Sequence, residues 1–148
     1  MTIYFTSDHA GLKLRKVLLA HVRSSGQQFV DLGPKDAVSV DYPDFGVRLA
    51  LALQQNDQAF GIAICGSGIG ISIALNRFSW IRAALVNQPE AAAMAKQHNN
   101  ANVLVFGERM ITSDIAIICV DHFLSAKFDG GRHHQRVKKL SEIGLKQI

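Results

Sequence analysis

The chain has 148 residues, of which 48% are hydrophobic and 19% charged. This size and composition predict one globular domain over residues 1–148 with a substantial core, and they exclude a disordered chain. The two cysteines lack metal-finger spacing, so neither a disulfide framework nor a zinc site is predicted, and reduced thiols indicate a cytoplasmic protein. Residues 1–6 do not resemble a signal peptide, and the longest apolar run, 115–120, is too short for a membrane span.

The net charge is +4, and its basic residues concentrate near the end of the chain. Such a group suits nucleic acid, a solvated helix face or an anionic small molecule. Aromatic residues are not interleaved with it, which disfavours a nucleic-acid partner. The basic residues concerned are Lys127, Arg132, Arg136, Lys138 and Lys139.

Short apolar runs alternate with helical periodicity along the whole chain, which predicts a Rossmann-like α/β fold. A doubly wound parallel sheet of five strands, with helices on both faces, is expected. The predicted strands are 3–7, 28–32, 58–65, 81–86 and 102–106. The predicted helices begin near residue 12, at 43, near 71, at 89, at 113 and near 132, and the last (about 132–145) is a candidate for packing on a partner subunit.

A glycine-rich turn between the third strand and its helix is the most informative stretch, GIAICGSGIGIS over residues 61–72. Glycines allow positive φ and close approach to backbone N–H groups, and a strand–turn–helix junction commonly holds anions. Cys65 points its sulfur at that junction, where the helix dipole favours the thiolate. The turn alone is equally consistent with a tight connection and a packed thiol. Cys119, within an apolar helix, is predicted to be a buried and inert thiol.

Polar residues follow several predicted strands, where parallel sheets bind their ligands. Asp8 and His9 follow the first strand, Cys65 and Ser67 the third, and Arg109 the fifth. Asp8 suits an N-cap as well as a contact to a sugar hydroxyl, while the His9 imidazole could meet an anion. These residues are expected to lie close together.

His98 and Asn99 end a helix and precede a strand, so they are expected at the opposite end of the sheet. Either this pair is structural or it serves the site of a neighbouring subunit. Arg132 and Arg136 share one face of the last helix and form either a solvated basic face or a phosphate clamp. His133 and the residue after it lack the spacing of a helical zinc site, so no metal is predicted.

Several motifs in order make the chain similar to the ribose 5-phosphate isomerase type B family, which also contains galactose 6-phosphate and allose 6-phosphate isomerases. The resemblance covers nearly the whole chain. The motifs are SDHAG (7–11), DYP (41–43), CGSGIGIS (65–72), IRA (81–83), HN (98–99), FGER (106–109) and GGRHHQRV (130–137).

The resemblance implies an aldose–ketose isomerase of the pentose phosphate pathway that uses no metal and no cofactor. It also implies active sites shared across a homodimer, which can pair further into a tetramer. Cys65 would be the base that moves a proton between C1 and C2, and His98 would open the furanose ring. Stabilisation of the enediolate would fall to Ser67 and to the backbone of Gly66, Gly68, Ile69 and Gly70. The phosphate would be held by His9, Arg109, Arg132 and Arg136, and sugar oxygens by Asp8 and Asn99.

The family pattern varies at two of these positions. Many relatives carry Thr where this chain has Ser67, which keeps the hydroxyl. Another branch resembles enzymes that use a glutamate as base in place of the cysteine, but residues 66–75 contain no carboxylate here. The sequence therefore favours Cys65 as the base.

Three alternatives remain at this point. The same machinery could act on a hexose 6-phosphate in a longer pocket, and a non-catalytic sugar-phosphate-binding protein would need the arginines and the glycine turn but not Cys65 or His98. A thiol hydrolase or redox protein would need a further catalytic arrangement that the sequence does not place. Subunit contacts are predicted through the apolar segment 115–120 and through Val137, Leu140 and Ile143.

Overall fold

The computed structural model describes residues 2–56 and 58–143. Within them the strands are β1 (Thr2–Ser7), β2 (Gln28–Asp31), β3 (Phe60–Cys65), β4 (Ala83–Leu85) and β5 (Val103–Gly107). The helices are α1 (Leu12–Ser24), α2 (Tyr42–Gln54), α3 (Ile69–Leu75), α4 (Pro89–Asn99), α5 (Ser113–Ser125) and α6 (Arg132–Glu142). Residues 144 and 145 of the predicted last helix lie outside the described residues.

All five strands pair in parallel, in the order β2-β1-β3-β5-β4. The predicted α/β fold with a five-stranded parallel sheet is confirmed. After β1 the chain forms β2 on one side of it, and then crosses back to form β3 on the other side. The strand order therefore reverses between β1 and β3. Open α/β sheets bind ligands outside the carboxyl ends of the strands at such a point.

Two hydrophobic cores cover the two faces of the sheet. Helices α1, α4 and α5 pack on one face and α2 and α3 on the other. Because side chains alternate along a strand, Ile62 and Ile64 of β3 enter the first core, while Ala63 and Cys65 enter the second. Cys65 therefore faces α2 and α3 at the carboxyl end of the central strand.

Local sequence signals place most element boundaries correctly. Pro43 and Pro89 lie in the first turns of α2 and α4, where a missing backbone N–H costs nothing. The Thr112 hydroxyl caps α5 by accepting a hydrogen bond from the N–H of Ile115, at 3.4 Å. Gly26 follows α1 with a φ of 71°, as expected of a glycine that ends a helix.

Four predicted elements are longer than the observed ones, and the predicted strands 28–32 and 58–65 exceed β2 and β3 by only one and two residues. The strand predicted at 81–86 shortens to β4, since the N–H groups of Arg82 and Ala83 donate to the side chains of Asn102 and Asn76 instead of to a neighbouring strand. The apolar residues after the glycine turn predict a helix to about Phe78, but α3 ends at Leu75, because the next residues form tighter turns.

The apolar segment 115–120 is only partly available for subunit contacts. Cys119 and Val120 are fully buried within the chain, whereas Ile115 and Ile118 are 36% and 41% exposed. Helix α5 therefore contributes most of its apolar surface to its own subunit. No helix in the described part of the chain is long and apolar enough to cross a bilayer.

Candidate active site

The turn after β1 carries Asp8 against the end of β3. The Asp8 carboxylate, 6% exposed, accepts hydrogen bonds through Oδ1 from the N–H groups of Ala10 and Gly11, at 2.9 and 3.0 Å. The Asp8 N–H donates to the carbonyl of Ile64, at 3.1 Å. The predicted capping role of Asp8 is confirmed.

The His9 ring is oriented by the loop that precedes α2. Its Nδ1 lies 3.2 Å from the nitrogen and 3.3 Å from the oxygen of Val40. In either tautomer Nδ1 is engaged by this residue, so Nε2 is the ring nitrogen that remains for a ligand. This arrangement suits the predicted contact between His9 and an anion.

The Cys65 thiol is nearly enclosed at the start of the glycine turn. Its side chain is 4% exposed, and the N–H of Gly68 donates to Sγ at 3.1 Å. The turn thus points a backbone N–H directly at the sulfur. Gly68 makes this contact with a φ of 78°, which other residues adopt only with strain.

Part of the predicted oxyanion cradle is already used within the turn. Besides the Gly68 N–H, the N–H of Ile69 donates to the Ser67 hydroxyl at 3.3 Å. A ligand oxygen must share or replace the hydrogen bonds that the N–H groups of Gly68 and Ile69 make within the turn. The sequence did not predict these two bonds. The Ser67 hydroxyl, half-buried beside Cys65, is thereby held within the turn.

Arg109 reaches the same turn from the end of β5. The N–H groups of Glu108 and Arg109 donate to the carbonyls of Cys65 and Gly66, at 2.9 and 3.0 Å. A Cβ placed on Gly66 would lie 3.0 Å from Nη1 of Arg109, so the guanidinium packs directly on the glycine backbone. The exposed guanidinium of Arg109 is thus placed on the residue that directly follows Cys65.

Two residues with weaker sequence signals complete this end of the sheet. The Tyr42 ring covers Gly70 so closely that a Cβ there would lie 2.5 Å from the ring carbon Cζ. Glu108 accepts a hydrogen bond from the N–H of Leu14 at 2.9 Å and so ties the Arg109 loop to α1. Tyr42 was indicated only by the DYP motif, and Glu108 was not predicted. The start of α1, which has no side-chain cap of its own, could have indicated Glu108. The polar residues and the glycine turn at this end of the sheet are called the Cys65 site, which comprises Asp8, His9, Tyr42, residues 65–70 and Arg109.

A second group of polar residues gathers where α4 ends and α6 begins, and we call it the α4–α6 cluster. The His98 and His133 rings stack with centroids 4.7 Å apart and planes 4° from parallel. Nε2 of His98 lies 3.9 Å from Oδ2 of Asp129. The cluster comprises His98, Asn99, Asp129, Arg132, His133 and Arg136.

The charge balance of the α4–α6 cluster is positive. Partial desolvation, together with the charges of His98, Arg132 and Arg136, lowers the pKa of His133, and Asp129 acts in the opposite direction. Both arginines thus lie close enough to His133 to influence it. An anion is the ligand that this balance attracts.

Within one chain, the α4–α6 cluster lies at the amino ends of the strands, opposite the Cys65 site. Asn99 shares a cavity of about 680 Å³ with Arg82, which precedes β4, and with Leu140 of α6. This confirms the expected position of His98 and Asn99. The predicted site residues therefore fall into two sets, and one chain does not bring Cys65 and His98 together.

Comparison with known proteins identifies the family of this chain. A family model described as Ribose/Galactose Isomerase matches residues 3–140. Ribose-5-phosphate isomerase B of Escherichia coli is 40% identical over 141 residues, which cover 95% of this chain and 95% of that protein.

Solved structures are similarly close. The crystal structure of a ribose 5-phosphate isomerase of Thermotoga maritima is 42% identical with a TM-score of 0.93, covering 96% of this chain and 98% of its own. Ribose-5-phosphate isomerase B of Mycoplasma genitalium, solved with bound ribulose-5-phosphate, is 40% identical with a TM-score of 0.93, covering 99% and 97%. The chain described here belongs to the ribose/galactose isomerase family.

Proposed function

We propose that this protein is an aldose–ketose isomerase that interconverts ribose 5-phosphate and ribulose 5-phosphate in the pentose phosphate pathway. The observation that carries the proposal is the buried Cys65 thiol beside Ser67 and Arg109, at the point where the strand order reverses. The M. genitalium relative with bound ribulose-5-phosphate supports the choice of a pentose.

In the proposed reaction, the Cys65 thiolate removes the proton from C2 of the open-chain aldose. The C1 carbonyl becomes an oxyanion, which gives an enediolate. The sulfur then returns a proton to C1 while a proton passes from O2 to O1, and the ketose forms. The Ser67 hydroxyl and the backbone N–H groups of residues 66–70 are the donors proposed to stabilise the oxyanion. Proton transfer of this kind requires no cofactor.

His98 is the proposed acid/base for opening the furanose ring, and it would come from a second copy of the chain. The proposal rests on the separation of His98 from Cys65 within one chain and on the apolar residues exposed around the Cys65 site. Ile69, Ile73 and Met110 are 55%, 54% and 65% exposed, which suits a protein interface. A homodimer, which can pair further into a tetramer, would bring the two sets of residues together.

The phosphate would be bound from both subunits. His9 and Arg109 belong to the Cys65 site, while Arg132 and Arg136 start α6 in the α4–α6 cluster. Guanidinium groups bind phosphate through paired hydrogen bonds, and remote phosphate binding orients the reacting carbons. Asp8 and Asn99 are proposed to contact sugar oxygens. A thiol that acts as a base must stay reduced, so the proposal assigns the enzyme to the cytoplasm.

The test is turnover of ribose 5-phosphate in metal-free buffer by the wild type and by Cys65→Ala. Cys119→Ala is the matched control, because it removes the other thiol from the chain. We expect turnover that falls by about 100-fold or more in Cys65→Ala and persists in Cys119→Ala.

Other outcomes would redirect the proposal. Turnover of a hexose 6-phosphate alone would retain the mechanism and change the substrate. Binding of sugar phosphates without turnover would indicate a non-catalytic binder, and full activity of Cys65→Ala would reject Cys65 as the base.

A further inference from the structure

Three potential metal ligands meet in the α4–α6 cluster. One ring nitrogen of His98, one of His133 and a carboxylate oxygen of Asp129 all lie within 4.8 Å of one another. The three residues are separated in sequence, and the sequence pattern alone predicted no metal site there. Two imidazoles and one carboxylate form a common ligand set for divalent transition metals.

Backbone hydrogen bonds hold these residues together. The N–H of Asp129 donates to the carbonyl of Gln97, at 3.0 Å, which joins the loop before α6 to the last turn of α4. The N–H of His133 donates to the carbonyl of Gly130, also at 3.0 Å. The positions of the three Cα atoms are thus fixed by the fold, and only side-chain rotation remains variable.

The ligand atoms are somewhat too far apart for immediate coordination. Tetrahedral Zn²⁺ with bonds of about 2.1 Å places its ligand atoms about 3.4 Å apart. The observed distance between Nε2 of His98 and Oδ2 of Asp129 is 3.9 Å. Parallel stacked rings cannot both point a nitrogen at one ion, so one imidazole has to turn. His133, in the first turn of α6, is only half-buried and can turn.

From this geometry we propose that the α4–α6 cluster binds Zn²⁺ through His98, Asp129 and His133, and that Zn²⁺ thereby inhibits the enzyme. A ring nitrogen of His98 that is bonded to zinc can neither donate nor accept a proton. The inhibition rests on the proposed role of His98 in ring opening, whereas the binding rests on the cluster alone.

The surroundings set limits on the affinity. Arg132 and Arg136 repel a cation, while the carboxylate of Asp129 attracts one. Micromolar rather than nanomolar binding is therefore expected. Substrate phosphate bound to the two arginines would reduce their repulsion of Zn²⁺. It would not release His98 from the metal.

Cys65 is the competing zinc ligand, because thiolates bind zinc well. The two sites differ in their spectra when Co²⁺ replaces Zn²⁺. A thiolate ligand gives a sulfur-to-cobalt charge-transfer band in the near ultraviolet, and a site of nitrogen and oxygen ligands does not. Co²⁺ therefore reports directly which side chains hold the metal.

The experiment measures Zn²⁺ binding by titration calorimetry and Co²⁺ binding by absorption in the full-length protein. The variants are Asp129→Asn and His133→Asn, and the matched control is His134→Asn. His134 neighbours His133 but packs edge-on against Phe128, outside the ligand set. We expect the affinity for Zn²⁺ to fall at least about tenfold in the two cluster variants and to remain unchanged in the control.

Inhibition is then measured with Zn²⁺ against ribose 5-phosphate, each rate being divided by the same variant's metal-free rate. The zinc concentration for half inhibition should rise about tenfold in Asp129→Asn and His133→Asn, and EDTA should restore the wild type. Binding or inhibition that is unaltered in both cluster variants would overturn the proposal, as would a thiolate band that disappears in Cys65→Ala. Zinc binding at the cluster in a protein without isomerase activity would refute only the proposed function, and isomerase activity without zinc binding would refute only this inference.

Discussion

The two ends of the sheet are built in different ways. At the Cys65 site the thiol is 4% exposed, and closely packed glycines leave no room for side chains. In the α4–α6 cluster the side chains of His98 and Asp129 are 42% and 51% exposed, and α6 has no buried residue. One end is tightly packed within a single chain, while the other presents its functional groups outward.

This difference matches two chemical tasks. A base that removes a proton from carbon needs a fixed position and exclusion of water, which a central strand and a tight turn supply. Ring opening and phosphate binding can be delivered by groups that complete the site on association. The proposed enzyme therefore depends on a dimer for catalysis, and the four predictions below examine how the two ends differ.

The largest effect is expected from mixing inactive subunits. Cys65→Ala and His98→Asn alone should each lose about 100-fold or more in rate. When the two are unfolded and refolded together, random pairing makes half of the dimers mixed, each with one intact shared site. Activity should return to about a quarter of the wild-type value, measured as ribose 5-phosphate turnover.

The control for this experiment pairs Cys65→Ala with Arg109→Ala. Both changes lie in the Cys65 site, so no mixed dimer holds an intact site. The activity of the refolded mixture should therefore not exceed the mean of the two variants refolded separately. Recovery of activity in this control pair would contradict the proposal that Cys65 and His98 of different subunits form one shared site. So would a lack of recovery when Cys65→Ala is paired with His98→Asn.

The second prediction tests how tightly the glycine turn is packed. In Gly68→Ala the new Cβ would lie 2.4 Å from Leu85 and 2.9 Å from the Phe106 backbone, at a positive φ. Unfolding in urea should show a loss of about 3 kcal/mol or more. Gly26→Ala has a similar φ of 71° but open space around it, so a loss of only about 1 kcal/mol is expected. Equal losses would mean that backbone strain, and not packing, limits the turn.

The third prediction concerns phosphate binding from both ends. Arg109→Ala and Arg136→Ala should each raise the KM for ribose 5-phosphate about tenfold, because each removes a charge-assisted hydrogen bond. Arg23→Ala is the control, since its guanidinium stacks on Phe29. If the KM rises in only one of the two variants, the phosphate is bound only at the end of the sheet that carries that arginine.

The smallest effect concerns the second thiol and pH. Burial, followed by the charge of Glu90, raises the pKa of Cys119 from its ordinary value of 9.0 to about 11. Between these two values the folded chain binds more protons at Cys119 than the unfolded chain, so stability falls as pH rises from about 9 to about 11. Urea unfolding at several pH values should show a shallower fall for Cys119→Ala. Identical slopes would contradict the assigned cause.

Sequence reasoning recovered the features that depend on local signals. Pro43, Pro89 and Gly26 mark boundaries because their backbone preferences act within one turn. The position of Cys65 at the end of a buried strand followed from the apolar run before it. The opposite location of His98 followed from the alternation of strands and helices alone.

Features that depend on long-range contacts escaped prediction. The bond between Gly68 N–H and the Cys65 sulfur requires the exact path of the turn, and Asp129 meets His98 only through the bond to the Gln97 carbonyl. The late start of β4 depends on the amides of Asn76 and Asn102, which replace strand pairing. None of these contacts leaves a periodic trace in the sequence.

The lengths of the strands have a consequence for aggregation. The two edge strands, β2 and β4, have four and three residues, whereas the central strands have five or six. Short edges expose few unpaired N–H and C=O groups to a strand from another molecule. Copies of this chain therefore gain little by pairing their sheets edge to edge, which disfavours fibril-like growth. Association through helices and loops is not affected by the short edges.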